Sequence, residues 1–290
     1  MNAFTIKDIE NLSGVKAHTI RIWEQRYDFL KPQRTDTNIR YYTNEELKTI
    51  LNIALLNKYG FKISHINKMD FGEINQKLIS LSHNYAQQEW IVNQLISFMV
   101  DLDLDLFEEL LGKQIEAKGV EKIINEIIFP FLEKIGILWL TNNINPAQEH
   151  LVTNIIRQKL LVGIETSVSQ FKSEKVALLF LPEGEFHELG LLYVYYLLKN
   201  RGVKVLYLGA DVPIEDVEFI VSAKNPDYLY SHLTSLAPNF NMERFLNNLH
   251  LKIKNVPILI SGAFTANYKK SVPANIFLKK SLNEVKEYIS

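Results

Sequence analysis

The segment Glu185-x-His187-x-x-Gly190 combines residue types that can hold a metal. It follows an apolar run, 176–181, that predicts a buried parallel strand, and it precedes an apolar helical pattern. A histidine in such a strand-to-helix loop lies at the carboxyl end of the strand, where open α/β sheets bind ligands. Glu185 can receive the proton of one ring nitrogen and leave the other nitrogen to ligate a metal. Gly190 has no side chain, so a large group can approach closely.

Strand-like and helix-like runs alternate over residues 173–290, and this pattern predicts a parallel, doubly wound sheet of Rossmann-like or flavodoxin-like type. The predicted strands are 176–181, 203–208, 228–233, 256–260 and 276–278. The first strand is not followed by Gly-x-Gly-x-x-Gly, and no Walker lysine motif is present, which argues against dinucleotide binding and nucleotide hydrolysis. The fold alone carries no function.

Composition predicts a soluble, cytoplasmic protein with two or three domains. The chain has 290 residues and a formal net charge of −1, so contact with DNA would need a local basic surface. It contains no cysteine, which excludes disulfides, thiolate metal sites and iron–sulfur clusters. The first residues lack a signal-peptide layout, and no apolar run of 18 residues predicts a membrane span.

The first thirty residues predict two short helices joined by a turn that contains glycine. Thr5 is a plausible N-cap for the first helix, and Ser13-Gly14-Val15 interrupts it before the second helix. This is the helix-turn-helix pattern, whose second helix enters the major groove of DNA. The side chains predicted to lie toward solvent or DNA are Lys16, His18 and Arg21.

A basic loop with interleaved aromatic residues, 30–42, follows the second helix. Its side chains suit phosphate contacts, which supply affinity but little sequence information. Residues 1–70 hold seven Lys and four Arg against four Asp and four Glu, a net charge of only +3. An ordinary helical domain with a solvated charged face therefore stays an alternative on spacing alone.

The amino-terminal region contains three motifs in order, Thr19-Ile20-Arg21-x-Trp23-Glu24-x-Arg26-Tyr27, Leu30-x-Pro32-x-Arg34 and Asn38-x-Arg40-x-Tyr42. With these motifs it resembles the DNA-binding domain of the MerR family of transcription regulators. The resemblance implies a winged helix-turn-helix in residues 1–72 that binds double-stranded promoter DNA as a dimer and commonly distorts it. It implies that Arg21 and Tyr27 belong to the recognition region. It also implies that Arg34, Arg40 and Tyr41 form the wing.

Residues 73–172 keep a helical pattern that predicts a four-helix bundle, with Asn145-Pro146 as the start of its last helix. We interpret Asp101-x-Asp103-x-Asp105 as a solvated helix start, because it lacks the glycine and the closing glutamate of a calcium loop.

Within this bundle, Trp139 precedes the pair Glu149-His150 by ten residues. A buried Trp is usually core, and an isolated Glu-His pair at a helix start is usually structural. The spacing nevertheless resembles the helical cap over the upper face of cobalamin in light-sensing regulators of the CarH/LitR type. Leu140 departs from their pattern, since the best-known members place a histidine next to the Trp.

Three motifs lie in order at the carboxyl ends of predicted strands of the carboxyl-terminal sheet, Glu185-x-His187-x-x-Gly190, Ser231-His232-Leu233 and Gly262-Ala263. With these motifs the sheet resembles the cobalamin-binding domain of methionine synthase and corrinoid proteins. The resemblance implies that His187 is the lower cobalt ligand, that Glu185 orients it, and that Ser231 binds the buried nucleotide tail. Ala263 replaces the second glycine of the last motif and adds a methyl group where the tail runs.

Together these features predict a non-enzymatic transcription regulator with three domains, 1–72, 73–172 and 173–290. Cobalamin, as adenosylcobalamin, would bind between the bundle and the α/β domain. Light or ligand would then change DNA affinity or the homo-oligomer, a dimer on DNA and a tetramer when liganded. One alternative is a MerR-type regulator with a degenerate pocket that responds to another ligand or to a partner protein. A further alternative is a corrinoid methyl-carrier component.

Overall fold

The computed structural model describes residues 2–81, 83–140, 144–235 and 240–289. The chain divides into two compact units, residues 1–156 and residues 157–290. Within the described residues, no helix is long and apolar enough to cross a membrane.

The first unit begins with a helix-turn-helix and a two-stranded hairpin. Its elements up to residue 79 are α1 (Ile6–Ser13), α2 (Ala17–Arg26), β1 (Gln33–Arg34), β2 (Arg40–Tyr41), α3 (Asn44–Lys58), α4 (Ile63–Ile66) and α5 (Phe71–Ile79). Thr5 caps α1 through a capping box with Asp8, and Gly14 ends α1 in the left-handed conformation. Trp23 is buried. Strands β1 and β2 pair antiparallel, so the basic loop 30–42 contains a hairpin.

The rest of the first unit is helical, as predicted. Its elements are α6 (Asn84–Asp101), α7 (Leu104–Lys118), α8 (Val120–Ile123), a π-helical segment (Ile124–Ile128), α9 (Phe129–Leu140) and α10 (Pro146–Thr166), whose last turns belong to the second unit. Helix α3 joins the amino-terminal elements to these helices by packing on both α1 and α6, and α1 also packs on α9. Asn145 caps α10, and Pro146 is its first helical residue.

The interpretation of Asp101 as part of a solvated helix start was wrong. Asp101 is the last residue of α6, and its carboxylate accepts hydrogen bonds from Lys48 Nζ at 2.6 Å and Asn44 Nδ2 at 2.9 Å. Leu102 then takes the left-handed conformation, and Asp103 is the N-cap of α7. The acidic run therefore spans a helix end and a helix start, and tertiary contacts with α3 fix the first of these.

The second unit is a doubly wound α/β domain with a five-stranded parallel sheet. Its strands are β3 (Val176–Pro182), β4 (Lys204–Val212), β5 (Tyr228–His232), β6 (Ile258–Ser261) and β7 (Ile276–Leu278). Its helices are α11 (Leu189–Asn200), α12 (Ile214–Lys224), α13 (Met242–Lys252), α14 (Ala263–Asn267) and α15 (Leu282–Ile289). The strand order is β4-β3-β5-β6-β7, which is the flavodoxin-like order. All five strands were predicted, although β4 extends four residues beyond its predicted end, from 208 to 212.

The two faces of this sheet carry different side chains, since successive residues of a strand point to opposite faces. Leu178, Leu229 and Ile258 belong to an apolar cluster that includes residues of α12 and α13. Tyr230 and Ser261 alternate with these residues and are buried on the other face. The strand order reverses between β3 and β5, so the carboxyl ends of these two strands border the crevice where such sheets bind ligands.

Candidate functional site

The loop after β3 holds His187 against the carboxylate of Glu185. Glu185 is fully buried, whereas the His187 side chain is 53% exposed. The distance from His187 Nδ1 to Glu185 Oε1 is 2.6 Å, and the same oxygen accepts the backbone N–H of His187 at 3.0 Å. Glu185 Oε2 accepts the backbone N–H groups of Thr234 and Ser235, which follow β5, at 2.7 and 2.8 Å. One carboxylate thus fixes the imidazole and joins the loops at the crevice.

These hydrogen bonds also decide the charge of Glu185. Burial raises its pKa, but the hydrogen bonds from the His187 side chain and from three backbone N–H groups outweigh burial and leave the pKa below its ordinary value. Glu185 is therefore an anion at neutral pH and favours a proton on His187 Nδ1. A neutral imidazole with its proton on Nδ1 carries its lone pair on Nε2, the atom that can ligate a metal.

The arrangement suits a metal that brings most of its own ligands. Within the described residues, no three His, Asp or Glu side chains converge to hold an ion. A single imidazole is a weak site for a simple ion. It is, however, a sufficient axial ligand for a metal held in a macrocycle, since the ring supplies the other ligands.

Gly190 permits a close approach, but the group that approaches it is the ring of His232, a residue to which the sequence pattern assigned no role. A methyl group at Gly190 would lie 2.4–2.7 Å from three atoms of the His232 ring. His232 occupies the middle position of the motif Ser231-x-Leu233, at the carboxyl end of β5. The alternation of β5 could have placed it on the same face as Tyr230, but its contact with Gly190 depends on the packing of α11.

The His232 ring takes part in a small polar cluster. Its Nδ1 lies 2.8 Å from Ser261 Oγ, and Ser261 Oγ lies 2.7 Å from the hydroxyl of Tyr230. Burial lowers the pKa of His232 to about 4, although the nearby carboxylate of Glu185 opposes this change. His232 is therefore neutral at physiological pH.

Ser231 precedes His232 in β5, and Leu233 follows the strand and belongs to the apolar cluster with α12 and α13. Ser231 Oγ is buried and has no hydrogen-bond partner among the described residues. Gly262 adopts φ 108°, and a methyl group there would lie 2.2 Å from the carbonyl oxygen of Leu233. Ala263 begins α14 and is exposed.

The residues predicted to cap a cofactor lie in the first unit. Trp139 is 49% exposed at the end of α9, so it is not a core residue. Glu149 and His150 lie in the first turn of α10, with His150 Nδ1 3.3 Å from Glu149 Oε2. The His150 side chain is largely exposed. The side chain of Leu140, on which the photochemical prediction depends, lies outside the described part of the chain.

The predicted DNA-binding residues of the helix-turn-helix lie on or beside α2. His18 and Arg21 are exposed on this helix, and Lys16 is an exposed residue at its N-cap that forms an ion pair with Glu10 at 3.3 Å. Tyr27 ends the helix, and its ring stacks on Phe29 with centroids 5.6 Å apart.

The predicted wing residues lie on the hairpin β1–β2. Arg34 is exposed, and its guanidinium donates to Asn38 Oδ1 at 2.8 Å and to the Asn38 carbonyl at 3.2 Å. Tyr41 donates to Gln33 Oε1 across the hairpin at 2.5 Å. Arg40 Nε lies 3.3 Å from Glu24 Oε2, which ties the hairpin to α2.

Two family models match the chain. Residues 4–70 match the MerR HTH family regulatory protein, which covers the helix-turn-helix and the hairpin. Residues 91–162 match a B12 binding domain, which covers the helices that carry Trp139, Glu149 and His150.

Similar proteins span most of the chain. The HTH-type transcriptional repressor CarH of Myxococcus xanthus is 27% identical over 274 residues, 92% of this chain and 91% of the repressor. The repressor CarA of the same organism is 26% identical over 92% of this chain and 89% of the repressor. Among solved structures, the monomethylamine corrinoid protein of Methanosarcina barkeri is similar in fold. Its TM-score is 0.52 at 17% identity, with 69% of this chain and 97% of that chain covered. The chain is therefore a transcriptional regulator that joins a MerR-type helix-turn-helix domain to a B12-binding domain.

Proposed function

We propose that this regulator binds cobalamin through His187 and that bound cobalamin controls its affinity for promoter DNA. The observation that carries the proposal is the pairing of a half-exposed imidazole with a fully buried, ionised carboxylate at the switch point of the sheet. A surface histidine without such a partner would have no fixed tautomer and no fixed orientation.

Three residues, His187, Glu185 and Ser231, support the choice of this cofactor. His187 Nε2 would ligate the cobalt, and Glu185 would hold the proton on Nδ1 and raise the basicity of the ring. Ser231 Oγ is a buried polar atom without a partner among the described residues, as expected of a group that a ligand satisfies. The contacts that the resemblance implies for Trp139, Glu149 and His150 at the upper face are part of the proposal. Adenosylcobalamin would supply a cobalt–carbon bond that light can break.

The DNA-binding half of the proposal rests on exposed cationic side chains. Arg21 and His18 on α2 would enter the major groove, while Arg34 on the hairpin would contact phosphates. Arg40 would contribute to DNA binding partly by orienting the hairpin, because its ion pair with Glu24 holds the hairpin on α2.

One connection within the first unit could couple the cap residues to the DNA-binding elements. The side chain of Gln148, next to the pair Glu149-His150, donates to the carbonyl of Val100 at 3.2 Å. The side chain of Asn44, the first residue of α3, donates to the same carbonyl at 2.9 Å. A shift of α10 would therefore change the hydrogen bonding at the start of α3. Cobalamin can regulate DNA binding only by preferring one conformation or one homo-oligomer, a dimer on DNA or a tetramer.

A second candidate function has its own support. The ring of His232 packs against Gly190, so the crevice is narrower than the motif alone predicts. On this view the chain is a MerR-type regulator whose pocket excludes cobalamin and responds to another ligand or to a partner protein. A corrinoid methyl carrier is a weaker candidate, because such a carrier has no evident use for a helix-turn-helix.

The test is DNA binding in the presence and absence of cofactor. The probe is a labelled duplex from the region upstream of the gene for this chain, followed by fluorescence anisotropy with adenosylcobalamin in the dark and after illumination. We expect adenosylcobalamin to change the affinity of the wild type and not that of His187→Ala. His250→Ala is the matched control, because His250 bonds Asn275 just before β7, at the amino end of the strands. Equal affinities in all conditions would contradict control by cobalamin.

A further inference from the structure

We propose that His232 determines which corrinoids the crevice accepts, by occupying the space beside Gly190 that the nucleotide base of cobalamin would need. This inference rests on the proposed function and adds a specificity-determining residue to the same site. It begins from the one contact in the crevice that the three motifs did not predict, the packing of the His232 ring on Gly190.

Coordination chemistry supplies the first step. Cobalamin carries its own dimethylbenzimidazole base, which can occupy the lower axial position of cobalt. A position ligated by His187 is closed to that base, so the base and its ribose phosphate must lie elsewhere. The loop of His187 leads to the crevice, because Glu185 bonds both His187 and the backbone that follows β5. The base would enter there, past the backbone of Gly190.

Packing supplies the second step. Three atoms of the His232 ring lie only 2.4–2.7 Å from the position that a methyl group on Gly190 would occupy. A bicyclic base cannot share that space with an imidazole. The ring is also held, because its Nδ1 lies 2.8 Å from Ser261 Oγ. Entry of the base therefore requires His232 to leave a packed, hydrogen-bonded position.

The consequence is discrimination between corrinoids by their tails. Cobinamide has the same corrin ring and cobalt but lacks the nucleotide base, so it can be ligated by His187 without displacing His232. Steric conflict of one side chain with a ligand group is commonly worth about 10- to 100-fold in affinity. His232→Ala should therefore tighten the binding of cobalamin by about tenfold or more and leave cobinamide within about twofold.

The experiment is a spectroscopic titration of the full chain with aquocobalamin and, separately, with aquocyanocobinamide. The wild type, His232→Ala, His232→Asn and the control His250→Ala are compared. His232→Asn shortens the side chain and keeps a polar partner for Ser261, so it tests the idea if the alanine variant folds poorly. Detachment of the base from cobalt costs the same in every variant, so the change on substitution isolates the contribution of His232.

Each outcome decides the inference. Selective tightening of cobalamin in both His232 variants supports it. Binding of cobalamin only after His232 is shortened also supports it, and would replace the proposed function by the second candidate, a pocket that excludes cobalamin. Equal shifts for both corrinoids, or weaker cobalamin binding in both variants, would overturn it and leave the proposed function standing. Absence of binding of either corrinoid to any variant would remove the proposed function and the inference with it.

Discussion

Substitution of Gly190 by Ala tests the packing at the crevice without any ligand. The new methyl group would lie 2.4–2.7 Å from the His232 ring, closer than carbon atoms pack, so the ring or α11 must move. Overpacking of this kind costs about 1–3 kcal/mol. Alanine is also favoured over glycine within a helix by roughly 0.5–1 kcal/mol. We therefore expect the second unit to lose about 1–2 kcal/mol of stability.

The two units can be followed separately. All three Trp residues, Trp23, Trp90 and Trp139, lie in the first unit, so Trp fluorescence during urea unfolding reports that unit. Hydrogen exchange of peptides from β3, α11 and β5 reports the second. A loss of about 1–2 kcal/mol should speed exchange of their most protected amides by roughly 5- to 30-fold. The Trp transition should not change.

A double-mutant cycle identifies the cause. In Gly190→Ala/His232→Ala the methyl group meets no ring, so the double variant should be more stable than the sum of the single effects by about 1 kcal/mol or more. Gly112→Ala in α7 is the control, since nothing lies within 4 Å of its added methyl group, and it should be neutral or stabilising. If Gly190→Ala were as stable as the wild type, or if His232→Ala brought no relief, the packing argument would be refuted.

Three further predictions concern pH, backbone strain and DNA. Stability of the second unit should fall by about 3 kcal/mol as the pH drops from 6.5 to about 4, because His232 takes up a proton at higher pH in the unfolded state than in the folded state. His232→Asn should flatten this slope, whereas the separate loss of stability on protonation of Glu185 should persist. Gly262→Ala should unfold the second unit at lower urea than Gly184→Ala, since both glycines have positive φ but only Gly262 meets backbone; equal midpoints would contradict this. Arg34→Ala should weaken promoter binding and reduce the slope of log K against log salt by about one, because Arg34 would contact a phosphate; the exposed Lys224→Ala is the control, and an unchanged slope in Arg34→Ala would contradict this.

Local patterns made much of the fold predictable. Apolar runs placed all five strands, and the capping residues Thr5 and Asn145 placed two helix starts, because both signals depend only on neighbours in sequence. The pairing of Glu185 with His187 was predictable for the same reason, since only one residue separates them in one loop. The end of β4 was missed because Gly209 and Asp211, both with positive φ, interrupt its apolar run at an irregular register with β3.

Features that depend on topology were not predictable. His232 reaches Gly190 only through the packing of α11 on β5, across 42 residues, and no spacing rule reports that distance. Asp101 ends α6 because Lys48 and Asn44 bind it from α3, whereas its sequence neighbours suggest a helix start. The roles of the individual site residues in DNA contact and cofactor binding stay predictions. So does the division into domains 1–72, 73–172 and 173–290.

The most direct test of the central claim is the visible absorption spectrum of the chain after incubation with adenosylcobalamin in the dark and removal of unbound cofactor. We predict that the wild type and His250→Ala retain the cofactor with the spectrum of histidine-ligated cobalt. His187→Ala should lose the cofactor or show a spectrum without that ligand. A colourless wild type, or an identical spectrum in His187→Ala, would contradict cobalt ligation by His187.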